Sequence, residues 1–113
     1  MPIRQASPTD TAQSIAATSL PKHATAIKFT AAWCGPCKQH PFTAVAENPE
    51  LRNVALVSCD IDTCPKLAEF FGVRSVPLVV VIDSQGIPKA TIPGVPQPAK
   101  LVEKLLEAYT RCL

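Results

Sequence analysis

Three short apolar runs rich in β-branched residues, ATAIKFT (24–30), NVALVSCDI (53–61) and PLVVVID (77–83), alternate along the chain with segments of helical pattern. Runs this short and this evenly apolar predict strands buried on both faces, and such strands need helices above and below them. The chain therefore reads as an α/β domain, a central sheet of about five strands, parallel in part, flanked by about four helices. Its 113 residues, 47% of them hydrophobic, suffice for one core and leave no room for a second. The single domain 1–113 must then carry whatever chemistry there is.

The other elements follow from periodicity and punctuation. Residues 2–5 read as a short edge strand. SPTDTAQSIAATSL reads as a helix with Ser7 as its cap and Pro8 at its first position. From Cys34 to about Asn48 the composition is helical, interrupted by Pro41. TCPKLAEFFG predicts a helix with Thr63 near its cap and Gly72 as its stop. Residues 87–94 read as a further strand. The last helix opens at Pro98 and places Leu101, Val102, Leu105, Leu106 and Tyr109 on one face. The twelve prolines fall singly between these segments and act as breaks, not as a low-complexity linker.

Eleven basic against nine acidic side chains, with no block of like charge, give no footprint for a nucleic acid. A protein or small-molecule partner fits better. No apolar run approaches the roughly 18–20 residues that span a bilayer, and no charged region followed by an apolar one opens the chain. Residues 1–20, where a presequence would lie, are needed for the first strand and helix, which favours a cytoplasmic protein. Five cysteines, an odd number, argue against a purely structural disulfide framework and suit a reducing compartment.

Cys34-Gly35-Pro36-Cys37 lies where a strand gives way to a helix. The spacing admits a redox couple, half of a metal site or a structural pair. In this setting the unpaired N–H groups of the first helical turn point toward the first sulfur and, with the helix dipole, favour a thiolate. Cys34 is then a nucleophile that opens a substrate disulfide, and Cys37 resolves the mixed disulfide from within the same loop. Gly35 and Pro36 keep that loop tight.

AAWCGPCK resembles the active-site signature of the thioredoxin family, and SVPLVV around Pro77 and Gly94 resemble further family features in the right order. The resemblance covers nearly the whole chain. It implies the thioredoxin fold, a cis proline at Pro77 beside the Cys34 sulfur, and backbone hydrogen bonds from Val76 to an extended substrate. It also implies that Trp33, Gly35, Pro36 and Gly94 border the substrate groove. Two positions depart from the family. The buried acid expected six residues before the first cysteine is replaced by Lys28, and the lysine often found opposite it on the next strand corresponds to Ser58. Lys28 then acts as a neutral proton acceptor for Cys37, lowers the thiol pKa by its charge, or snorkels outward and does neither. Pro41 stands one residue early against the family's helix-kinking proline, which leaves the shape of that helix open.

Other candidates weigh less. A four-cysteine zinc site from Cys34, Cys37, Cys59 and Cys64 has a loose second spacing, and a tight Gly-Pro loop capping a helix does not suit it; no metal is expected. Cys59 reads as a small core residue, Cys64 as a helix-start residue at a position where some animal relatives carry a regulatory cysteine, and Cys112 as the end of the apolar stripe. His40 reads as a polar residue on the exposed side of a helix, with a Cys-His catalytic role as its rival. His23 lies in a loop. Asp60 and Asp62 read as turn and capping residues, Asp62 also matching an acid at the family's groove edge. Lys38 reads as a solvated charge near the thiolate.

The resemblance implies a dithiol/disulfide oxidoreductase without a bound cofactor. It would reduce protein disulfides such as those of peroxiredoxins or ribonucleotide reductase, act as a monomer, and be recharged by a thioredoxin reductase. Two alternatives share the fold: a more oxidising disulfide oxidase or isomerase, and a redox-gated binding module.

Overall fold

The computed structural model describes residues 3–113. Along them run β1 (Arg4–Gln5), α1 (Ala12–Ser19), β2 (Ala24–Thr30), α2 (Phe42–Val45), β3 (Val54–Asp60), α3 (Pro65–Phe70), β4 (Leu78–Asp83), β5 (Pro88–Pro93) and α4 (Pro98–Arg111), with short 3-10 turns at Pro36–Gln39 and Pro49–Leu51. The strands form one sheet in the order β1-β3-β2-β4-β5. β3 runs parallel to β1 and β2, whereas β4 is antiparallel to β2 and β5, so the sheet is mixed as expected. The proline-containing β5 lies at an edge, where a missing N–H costs least. Of the expected edge strand 2–5, Arg4 and Gln5 pair with Val57 and Ser58, and residue 2 lies outside the described residues.

Side chains alternate across β2 and divide the core in two. Ala24 and Ala26 face a layer built from Phe42 and Val45 of α2 and from Leu101 and Leu105 of α4. Ile27 and Phe29 face Ile15 of α1 and Leu67 of α3. Phe29, Ile27, Leu101 and Leu105 are all fully buried, and each contributes about 1.5–3 kcal/mol of burial free energy. This is the helix-covered sheet that the apolar runs imply.

One helix boundary differs clearly from the sequence reading. The first helix starts at Ala12, not at Pro8, because Thr11 and Ser14 form a reciprocal capping box: Ser14 N–H donates to Thr11 Oγ1 at 3.0 Å and Thr11 N–H to Ser14 Oγ at 2.8 Å. Ser7 instead closes a turn, accepting from Asp10 N–H at 3.0 Å and donating its own N–H to Asp10 Oδ2 at 2.8 Å. The third helix has Cys64 at its N-cap position, next to Thr63 as expected, and Thr63 N–H is drawn to Asp60 Oδ1 at 3.4 Å. Beyond its C-cap, Phe71, the chain turns away at the expected stop, Gly72, whose φ of +67° a side chain would disfavour.

The segment after Cys34 is interrupted at Pro41, as expected: it forms a 3-10 turn and a single turn of α-helix, separated at His40 and Pro41. A residue before proline is pushed out of the helical region, and His40 is extended at φ −66°, ψ 133°. Pro41 thus breaks the helix one turn after Cys37.

Candidate functional site

β2 delivers the chain to residues 31–34 at the end of the sheet where the cysteine pair sits. Cys34 and Cys37 are disulfide-bonded, with Cα atoms 5.3 Å apart. Each is 4% exposed, and Ala31, Ile61 and Val76 pack around them. The 3-10 turn begins at the pair, and Cys37 N–H points at Cys34 Sγ across 3.1 Å. A backbone donor aimed at that sulfur stabilises a negative charge on it once the disulfide is open.

The loop before β4 closes the other side. Val76–Pro77 is a cis peptide, as the resemblance implies. Val76 O lies 3.7 Å from Cys34 Sγ. Gly94, at φ +75°, donates its N–H to Pro77 O at 3.2 Å and ties the end of β5 to this loop. Gly35, Pro36 and Gly94 are exposed, Val76 is half-buried and Pro77 buried. Trp33 is 68% exposed, and its Nε1–H donates to Asp62 Oδ2 at 2.9 Å. Trp33, Gly35, Pro36, Val76, Pro77 and Gly94 thus all belong to the segments that meet at the disulfide.

Lys28 pairs in register with Ser58 on β3 and with Val79 on β4. It does not reach outward: Nζ donates to the carbonyl oxygen of Cys37 at 3.0 Å. Burial pushes its pKa down.

The expectation that His40 lies on an exposed helix face is wrong. The break at Pro41 turns it inward until it is 7% exposed, with its ring edge-on to Phe42 at 6.1 Å between centroids. Nδ1 accepts Phe42 N–H at 3.2 Å, and Nε2 is buried with no partner. Burial, aided by the charge of Lys28, lowers its pKa to about 4. The sequence signal that pointed here was the His-Pro pair, whose effect on direction is legible only once the helix is known to break.

The remaining cysteines stay apart from this site. Cys59 is fully buried on β3; Cys64, 1% exposed, donates its thiol to Ala6 O at 3.4 Å. Burial, then Cys64 and the Asp60 charge, push Cys59 up to about 12, and burial also raises Cys64. Cys112 packs against the layer under α4 and raises no separate site. Asp60 serves a turn, accepting from Asp62 N–H at 2.8 Å. Among the described residues no group of three or more His, Cys, Asp or Glu side chains is placed to hold a metal ion, and no helix is long and apolar enough to cross a membrane.

The Thioredoxin family profile matches residues 6–107 of this chain. A thioredoxin of Chlamydia muridarum is 42% identical over 55 residues, 49% of this chain and 54% of that protein. A bifunctional thioredoxin reductase/thioredoxin of Mycobacterium leprae is 31% identical over 80 residues, 70% of this chain and 17% of its own length. The chain spans about half the length of the curated relatives it matches first. Among solved structures, the thioredoxin of Malassezia sympodialis superposes with a TM-score of 0.80 at 25% identity, over 96% of this chain and 95% of its own. Fold, cysteine pair, cis-proline loop and family profile agree, and this chain belongs to the thioredoxin family.

Proposed function

We propose that the whole chain, 1–113, acts as a thioredoxin: a dithiol/disulfide oxidoreductase that reduces protein disulfides through Cys34 and Cys37. The observation that carries the reading is the disulfide between the two cysteines at the strand-to-turn junction, with Cys34 Sγ against the Val76–Pro77 loop. In the reduced protein Cys34, as thiolate, attacks one sulfur of a substrate disulfide and releases the other as a thiolate that takes up a proton. Cys37 then attacks Cys34 Sγ, the Cys34–Cys37 disulfide forms, and the second substrate sulfur leaves. The two electrons delivered to the substrate come from the cysteine pair. No bound cofactor enters the cycle.

Backbone groups at Val76 hold an extended substrate segment, Pro77 and Gly94 shape its bed, and Trp33, Gly35 and Pro36 form the opposite wall. Lys28 modulates the protonation of the couple from below. A thioredoxin reductase returns the electrons; the Mycobacterium leprae relative, named as both reductase and thioredoxin in one chain, supports such a partner. Substrates are disulfide-containing proteins of the peroxiredoxin or ribonucleotide reductase kind, met by a monomer in the cytoplasm, where three free cysteines accord with a reducing milieu.

Cys37→Ser protein mixed with insulin is expected to accumulate a mixed disulfide through Cys34, read as an insulin-chain mass adduct that dithiothreitol removes. Cys34→Ser protein is expected to form none. Equal adducts in both variants would overturn the assigned roles.

A further inference from the structure

Beside the cysteine pair lies a buried polar atom that the exchange chemistry does not use, His40 Nε2, which has no hydrogen-bond partner. His40 closes the 3-10 turn that contains Cys37, three residues after it. His40 Nδ1 accepts Phe42 N–H, so the neutral ring carries its proton on Nε2. One carbonyl, that of Cys37, receives both Lys28 Nζ at 3.0 Å and His40 N–H at 3.3 Å. Lysine, histidine and resolving cysteine are thus held together through a single backbone group.

Lys28 is flanked by Ser58 on β3 and Val79 on β4. The helices over this part of the sheet present Phe42 and Val45 from α2 and Leu101 and Leu105 from α4. Asp60, at the end of β3, is engaged by the N–H groups of Asp62 and Thr63 at 2.8 and 3.4 Å. Burial, aided by the charge of the half-buried Lys28, lowers the His40 pKa to about 4, so the ring is neutral at neutral pH.

We propose that Lys28 and His40 form a one-cation site beneath Cys37, in which the Lys28 ammonium favours the thiolate of the resolving cysteine and His40, staying neutral, fixes the bend that holds the ammonium there. This inference rests on the exchange function proposed for Cys34 and Cys37. In the resolving step the Cys37 thiolate gives an electron pair to Cys34 Sγ of the mixed disulfide. The Cys34–Cys37 bond forms, the bond from Cys34 to the substrate sulfur breaks, and the substrate leaves as a thiolate that takes a proton from solvent. Cys37 has already lost its own proton to solvent, since a neighbouring ammonium lowers the cost of the anion. A carboxylate would have to accept that proton as a base; an ammonium removes the need for one. Both residues are positioning residues, acting through the Cys37 backbone.

The test uses Cys34→Ser protein, in which Cys37 is the sole active-site thiol, and follows carbamidomethylation of the Cys37 peptide by mass spectrometry from pH 5 to 10. Lys28→Met is expected to raise the midpoint by about one pH unit or more, and Lys28→Arg to keep it near the parent. His40→Leu is expected to raise it part of the way, and His40→Asn, whose side-chain oxygen can accept Phe42 N–H, to restore it. Circular dichroism identifies any variant that does not fold, and Lys28→Gln then replaces Lys28→Met. A midpoint unmoved or lowered on loss of the Lys28 charge would overturn the proposal. Insulin reduction by the dithiol protein, measured alongside, separates the two layers: loss of that activity contradicts the exchange function, whereas an unmoved midpoint with activity present contradicts only the one-cation site.

Discussion

His40 is more stable neutral inside the protein than in water, and this makes it a source of acid sensitivity. Its pKa is lowered from 6.5 to about 4, so between these values the unfolded chain binds more protons than the folded one. Stability from this group is complete above about pH 6.5 and is lost as pH falls toward 4. The loss amounts to roughly 2–3 kcal/mol. Urea unfolding of His40→Asn across this range is expected to show a correspondingly shallower decline than the parent; an identical decline in both would place the sensitivity elsewhere. Lys28 was legible as unusual only through the family resemblance, which places an acid six residues before the first cysteine. Its bond to the Cys37 carbonyl was not legible, because that contact depends on where the turn after Cys37 lies. His40 was misread outright: polarity argues for the surface, and only the break imposed by Pro41 turns it inward.

Strands were easier to read than helices, for a physical reason. A buried strand needs only a short unbroken apolar run, and β2, β3 and β4 lie within a residue of the ends expected from such runs. Helix boundaries depend on which of several polar residues captures the free N–H groups, and Ser7 and Thr11 both qualify by type. The capping box selects Thr11, since Ser14 stands three residues beyond it. Asp10 secures the preceding turn. Burial works against its ionisation, but bonds from Ser7 N–H, Ser14 and Arg4 outweigh burial and hold its carboxyl at about 2. Thr11→Ala is expected to lower unfolding free energy by about 1 kcal/mol and Ser7→Ala by clearly less. The reverse order in chemical denaturation would contradict the assignment of the cap.

Taken together, the two helical layers bury the inner strands β2, β3 and β4, and Cys34, Cys37 and the Val76–Pro77 loop lie together at one end of the sheet. Of the five cysteines, Cys34 and Cys37 are joined as the disulfide, Cys112 is half-buried, and Cys59 and Cys64 lie in the core. Cys59 and Cys64 are at most 1% exposed, with thiol pKa values raised by burial, so iodoacetamide at pH 8 is expected to label them only on unfolding. Labelling in the folded, reduced protein at a rate like that of Cys34 would show that this part of the core opens readily. The central claim is that Cys34 passes electrons from a reductase to protein disulfides. The most direct measurement is NADPH oxidation in the presence of a thioredoxin reductase, insulin and catalytic amounts of this protein. The expected result is turnover proportional to its concentration and lost in Cys34→Ser. Undiminished turnover in Cys34→Ser, or none with the parent protein while its reduced cysteine pair cleaves insulin directly, would contradict it.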